Sequence, residues 1–224
     1  MRYNELTFQG RNAVLEAFRS GKTIDKLFIL DGCQDGPIKS IVREAKKTDA
    51  IINYGDKERL VRLAGTGHHQ GVVAIGAAYE YAEVDDILAS AKEKGEDPFI
   101  FILDEIEDPH NLGAIIRTAN LAGAHGVIIP KRRAVGLTAT VAKTSAGAIN
   151  YTPVAKVTNI SQTIEELKKQ GLWFVCADMG GETMYNLNLK GPMGLGLGNE
   201  GIGVRRLGKE ICPFIASLPM KGDI

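Results

Sequence analysis

Two α/β regions in tandem, the second built on a mainly parallel sheet, follow from three features of this 224-residue sequence. Short apolar runs such as KLFIL, FIFIL and GVIIP alternate with amphipathic stretches at helical spacing. Acidic residues gather in one short stretch between the two regions. Hydrophobic residues make up 44% of the chain and charged ones 24%, enough apolar material to bury a sizeable core.

Taken in order, GRNAVLEAFRSG reads as a helix stopped at Gly21, KLFIL as a strand, IKSIVREAKKTD as a helix and INYGD as a short strand and turn. KERLVRLAG then reads as a helix and GVVAIGA as a strand, which completes a small alternating α/β domain over residues 1–79. Residues 80–98, EYAEVDDILASAKEKGEDP, join a short helical pattern to a Gly-Glu-Asp-Pro stop and read as an acidic linker. In residues 99–224, FIFILDEI is a buried strand, Asn111 to Ala124 a helix and GVIIP the next strand. VAKTSAGAI and ISQTIEELKKQG read as helical and WFVCAD as a strand, GLGLGNEG as a glycine-rich turn before a helix from Gly203 to Leu207, and FIASLPM as a last strand. Strands alternating with helices imply parallel pairing, with a ligand site at the carboxyl ends of the strands.

Net charge is zero, which by itself does not suit a strongly basic nucleic-acid binder. Its distribution alters that reading. Residues 1–79 hold 12 Lys/Arg against 9 Asp/Glu, residues 80–98 hold 2 against 7, and residues 99–224 hold 13 against 11, so both flanking regions are mildly basic. Cys33, Cys176 and Cys212 are odd in number and contain no CxxC, which suggests neither a disulfide framework nor a zinc site. The four histidines show no ligand spacing, so no metal is expected. No apolar run approaches the roughly 18 residues of a membrane span, and the start lacks the basic-then-apolar order of a signal peptide, so a cytoplasmic location is expected.

The stretch DPHNLGAIIRTANLAG, residues 108–123, carries the first chemical question. Leu112, Ile115, Ile116 and Ala119 fall on one stripe of a helix, after an Asp108-Pro109 turn that leaves Asn111 to cap the first amides. Gly113, Arg117 and Asn120 share another side, so a residue that costs roughly 1 kcal/mol in a helix lies beside a long cation. Helix physics alone leaves two readings open, a solvated face with a chance glycine or a face that something approaches closely. Further on, Gly196-Leu-Gly198-Asn-Glu-Gly201 matches the dinucleotide fingerprint GxGxxG, yet only 23 residues follow Gly201, too few to complete that fold. Gly194, Gly196, Gly198, Gly201 and Gly203 together point instead to backbone exposed to a flat or polar ligand.

DPHNLGAIIRTANLAG resembles the first signature, LGLGNEGIGVRRL the second, and SLPMKGDI the start of the third signature of the SpoU or TrmH-like branch of the SPOUT RNA methyltransferases. GRNAVLEAF and HHQGVVA also resemble the amino-terminal extension of members that methylate ribosomal RNA. The resemblance covers almost the whole chain. It implies a trefoil-knotted α/β domain over residues 99–224, a rare exception to the rule against threaded chains, which binds S-adenosylmethionine and works as a homodimer. Residues 1–79 would be a ribosomal-protein-like α/β module that holds RNA. Members continue past the third signature with a Ser-Leu-Asn stretch and a final helix, whereas this sequence stops at Ile224, so a carboxy-terminal tail is expected to be missing.

The implied reaction is methyl transfer to a guanosine ribose 2′-hydroxyl in large-subunit ribosomal RNA. The same chemistry on transfer RNA, and a non-catalytic RNA-binding protein that kept the fold, are the alternatives. Family correspondence assigns Asn111, Arg117 and Glu200 to catalysis, while Glu200 read by itself could be only a carboxylate near a helix start. A guanidinium is in effect always protonated, so Arg117 is expected to hold RNA phosphate and stabilise the developing oxyanion, with Asn111 and Glu200 orienting it. The cofactor assignment falls on Ala177, Asp178, Gly198, Leu218 and Met220. Lys131, Arg132 and Arg133 are candidate RNA contacts, or a solvated turn.

Overall fold

The computed structural model describes residues 6–48, 50–199 and 212–219. They divide into two compact units that meet in sequence at Glu80 and Tyr81, with Gly136–Ala139 counted in the first.

Unit 1 runs β1 (Leu6–Gln9), α1 (Arg11–Arg19), β2 (Ile24–Leu30), α2 (Gly36–Lys47), β3 (Ile51–Gly55), α3 (Lys57–Ala64) and β4 (Val72–Gly76). Its sheet has the order β1-β4-β2-β3; β4 is antiparallel to both β1 and β2, and β2 is parallel to β3. Each helix after the first starts on a side-chain cap, Asp35 accepting from the Ile38 amide and Asp56 from the Arg59 amide. One face of the sheet packs Leu27, Ile29, Val72 and Ala74 against Val14, Phe18, Ile38 and Ile41 of α1 and α2. The other face buries Phe28 and Val73 under Leu60 of α3. Full burial of such a side chain contributes roughly 1.5–3 kcal/mol.

Unit 2 holds α4 (Val84–Lys94), β5 (Phe99–Leu103), α5 (Pro109–Leu121), β6 (Gly126–Pro130), α6 (Ala139–Thr144), β7 (Val154–Val157), α7 (Ile160–Lys169), β8 (Trp173–Thr183), β9 (Met193–Leu197) and β10 (Phe214–Ser217). The strand order is β10-β8-β9-β5-β6-β7 and every pairing is parallel. Ile100, Ile102, Ile128 and Phe174 fill the core with Ile160, Ile164 and Leu167 of α7. Strands buried on both faces read as continuous apolar runs, which is why FIFIL and GVIIP were legible.

Four features differ from expectation. The acidic stretch 80–98 forms α4, whose Ile87 is fully buried in the unit 2 core; a Cβ on Gly126 of β6 would come within 2.6 Å of that side chain, so the stretch packs as part of unit 2. The first part of the glycine-rich segment is strand β9, lodged between β8 and β5, rather than a turn. Gly194 there is bare because any Cβ would collide with the ring of Phe174 on the neighbouring strand, not because a ligand approaches it. Cys176 and Cys212, 36 residues apart, form a buried disulfide with Cα atoms 6.0 Å apart, a pairing that spacing could not reveal; Cys33 is free. No helix among the described residues is long and apolar enough to cross a membrane.

Candidate functional site

Because β6, β5, β9, β8 and β10 all point the same way, the loops that leave their carboxyl ends lie along one edge of the sheet. β5 and β9 are neighbours, and a cavity of about 270 Å3 is lined by residues that follow them and by the first turn of α5. Glu105, Ile106, Glu107, Asp108, Asn111 and Asn199 line it. The walls are stitched together by short contacts. The Asp104 amide donates to Leu197 O at 2.9 Å, the Asn199 side-chain amide to Glu105 O at 3.3 Å, and the Val135 amide to Ile106 O at 3.0 Å.

Glu105 and Arg133 both adopt a left-handed backbone at φ 57°, and their side chains form an ion pair at 3.0 Å. Non-glycine residues in that region cost of order 1–3 kcal/mol and gather where surrounding structure imposes them. Here three loops impose it: the one after β5, the one after β6, and the one after β9.

Asn111 faces the cavity from the first turn of α5 but does not cap that helix. Asp108 is the cap, accepting from the His110 amide at 2.8 Å, with Pro109 in the first turn where its missing N–H costs nothing. Leu112, Ile116 and Ala119 are buried as the stripe requires, and Ile115 is half-buried. Gly113 is buried too: a Cβ there would lie 2.7 Å from Cβ of Thr144 and collide with its hydroxyl, so the glycine admits α6 and clears no space for Arg117. Arg117 is exposed, about 9 Å along the axis from Asn111 at 1.5 Å per residue, and is not part of the cavity wall. Asn120, on the same side, donates to the buried Thr152 hydroxyl at 3.1 Å.

Among the basic candidates, Arg132 is exposed, Arg133 is already paired with Glu105, and half-buried Lys131 is anchored through its amide to Val157 O at 2.7 Å. Ala177 and Asp178 belong to β8, where Asp178 Oδ1 accepts from the Met179 amide. Cys176 pairs with Gly196, so the next residues of the two strands bring Ala177 and Asp178 level with Leu197 and Gly198. Leu218, just past β10, is 61% exposed. Glu200 and Met220 lie outside the described residues.

Sequence reasoning missed Glu105, Glu107 and Asn199 as wall residues. LDEIED at the end of an apolar strand, where parallel sheets place their ligands, was the signal available. Three carboxylates against one guanidinium give this cavity an excess of acceptors, while Asn111 and Asn199 add amides. Such a wall suits groups that donate hydrogen bonds, and no metal-binding cluster is found among the described residues.

Residues 98–224 match the model of the SpoU rRNA Methylase family, and residues 9–82 match that of the RNA 2′-O ribose methyltransferase substrate-binding domain. A Bacillus subtilis protein, YacO, assigned to the TrmH family of tRNA/rRNA methyltransferases, is 50% identical over 96% of this chain and 86% of its own length. A Staphylococcus haemolyticus protein with the same assignment is 44% identical over 98% and 88%. Among solved structures, the SpoU methyltransferase AviRb from Streptomyces viridochromogenes, in complex with AdoMet, aligns with a TM-score of 0.57 at 21% identity, over 98% of this chain and 82% of that one. An AdoMet-bound rRNA methyltransferase from Sinorhizobium meliloti aligns at 0.55, also at 21% identity, over 98% and 80%. At that identity the likeness speaks to the fold.

Proposed function

The chain belongs to the SpoU rRNA methylase family, and from that premise we propose that it transfers a methyl group from S-adenosylmethionine to the 2′-hydroxyl of a guanosine ribose in large-subunit ribosomal RNA. The observation that carries the reading is the order of the two matches: a ribose-methyltransferase substrate-binding domain followed by a methylase domain, together spanning nearly the whole sequence. Residues 1–79 then capture RNA, and residues 99–224 carry the chemistry in a knotted domain. Transfer RNA is the second reading, favoured by relatives assigned to both substrates.

The described residues fit the cofactor. Leu218 offers an uncovered apolar side chain past the end of β10, Ala177 and Asp178 lie on the adjoining strand, and half-buried Gly198, just past β9, has no side chain to cover its main chain. An apolar flank with backbone amides suits a flat heteroaromatic group. S-adenosylmethionine supplies a sulfonium methyl already activated for transfer. The protein therefore aligns the ribose oxygen in line and eases loss of its proton, and positioning is the larger contribution. Asn111 orients from the cavity wall, Glu200 assists, and Arg117 holds phosphate and stabilises the charge growing on the oxygen. The chain acts as a homodimer. Leu121 and Tyr151, 77% and 81% exposed, flank the Asn120–Thr152 hydrogen bond and supply an apolar surface for a second copy to cover.

Single-turnover methyl transfer tests the reading. Arg117→Ala should lose on the order of 10²–10³-fold in rate, the range for removing one preorganised donor, with cofactor affinity and melting temperature nearly unchanged. Wild-type rates in that variant would return α5 to a merely solvated face. Methylation mapping in total RNA from a deletion strain then separates the substrates: a lost 2′-O-methylguanosine in large-subunit ribosomal RNA supports the first reading, and a loss confined to transfer RNA replaces it with the second.

A further inference from the structure

Two motifs left unexplained by the methylation chemistry, GRNAVLEAF and HHQGVVA, meet in unit 1. Their residues Arg11 and Gln70 stand 59 positions apart and are joined twice: the Arg11 amide donates to Gln70 Oε1 at 3.1 Å, and Arg11 Nε donates to Gln70 O at 3.2 Å. The joint borders a cavity of about 640 Å3, lined also by Asn12, Leu30, Cys33 and Pro37, a size within the range of small-ligand sites. Gln70 is held at φ 51° to make the contact, and Gly71 follows at φ 79°, where a Cβ would stand 3.0 Å from Cys33 Sγ. The wall is thus kept open by a glycine and braced by a strained residue.

We propose that this cavity receives one unpaired nucleobase of the RNA that unit 1 captures, an assignment that rests on the RNA methyltransferase reading above. Its chemistry favours a base over a phosphate. The guanidinium of Arg11 is already ion-paired with Asp35 at 2.5 Å, so the cavity lacks the free positive charge a phosphate needs. What it offers instead is mixed. Asn12 is exposed at the start of α1, and its amide has no partner among the described residues; Gln70 turns Oε1 to the Arg11 amide and leaves Nε2 to donate. Base edges carry donors and acceptors side by side, which paired amides can read, whereas a phosphate only accepts. Leu30 and Pro37 supply apolar wall against which a flat ring can lie. Proteins read RNA sequence chiefly in single-stranded segments whose unstacked bases can enter such sites.

Cys33 makes the cavity testable, because the other two cysteines are bonded to each other. The full-length protein is titrated with dye-labelled oligoribonucleotides of A, C, G and U and with a blunt RNA duplex, and alkylation of Cys33 by N-ethylmaleimide is timed with and without each. One homopolymer should bind more tightly than the others and than the duplex, and should slow alkylation several-fold. Asn12→Ala and prior alkylation should each weaken that oligomer on the order of tenfold, while a melting curve of each altered protein that matches wild type reports that unit 1 remains folded. Equal alkylation rates with every RNA, or equal affinity in wild type and Asn12→Ala, overturn the base pocket. Failure of the methyltransferase reading is seen separately, as absence of cofactor binding and of methyl transfer to total RNA by the unmodified protein.

Discussion

Among the described residues, glycine makes turns in both units, as at Gly95, Gly123 and Gly171 of unit 2, but only in unit 2 does it also admit a neighbouring segment closer than 3.0 Å to where a Cβ would stand. In unit 1 the glycines at Gly21, Gly32 and Gly65 adopt positive φ and have nothing within 4 Å of where a Cβ would stand, so each serves the backbone of a turn. In unit 2, Gly113, Gly126, Gly181 and Gly194 have ordinary φ, and a Cβ on any of them would come closer than 3.0 Å to a neighbouring segment. Those glycines serve packing between elements. A glycine-rich sequence in a parallel α/β unit is therefore weak evidence of a ligand until it is known what occupies the missing side chain's place. At Gly113 and Gly194 the occupant is the protein itself.

The sharpest test of this contrast is Gly194→Ala. The added methyl must displace the ring of Phe174 in a sealed core, which costs about 1–3 kcal/mol and should appear as a lower urea midpoint at unchanged slope. Stability equal to wild type would mean that β9 has room to spare and that the glycine is there for another reason. Gly113→Ala is more finely balanced, since Ala gains roughly 1 kcal/mol in a helix interior over Gly and the collision with Thr144 must exceed that. A net loss of about 1 kcal/mol is expected, largely recovered when Thr144→Ala is added in a double-mutant cycle; additive effects would break the packing explanation.

In unit 1, Gly65 closes α3 at φ 68° with open space around it, so Gly65→Ala should cost about 1 kcal/mol through backbone strain alone, and Gly65→Asn, which tolerates that conformation, should cost less. Equal losses for the two would show a steric cause instead. The smallest effect is expected at Arg133, whose side chain is 62% exposed in its pair with Glu105. Arg133→Ala should lower the melting temperature by about 2 °C or less, as for other surface pairs. A large drop would make the ion pair, rather than the backbone contacts, what holds the three loops together.

Most helices and the long apolar strands were legible because period and caps agreed. The strands missed are instructive. β1 (LTFQ) and β7 (VAKV) have four residues each, too short for a pattern to accumulate, and β7 follows a proline that reads as loop. β9 hid its alternation under glycine: Met193, Leu195 and Leu197 recur at period two, but the intervening Gly194 and Gly196 score as turn formers. At the site, Asn111 was singled out from the sequence and does line the cavity, but it was misread as a cap, although Pro109 in the first turn already required the cap to precede it. Glu105 escaped because its importance lies in a backbone conformation and a partner 28 residues away, neither of which local pattern carries.

The position of β9 also sets an order of events during synthesis. Strands β5 and β8 both pair with it, so an interior strand of the unit 2 sheet is the last but one of the described strands to leave the ribosome. Until residue 197 emerges, β5 and β8 each present an unpaired apolar edge. Translation at roughly 5–20 residues per second puts on the order of ten seconds between the end of unit 1 and that moment. Unit 1, whose four described strands are complete by Gly76, can fold within that interval, while the nascent second unit still has its sheet open in the middle.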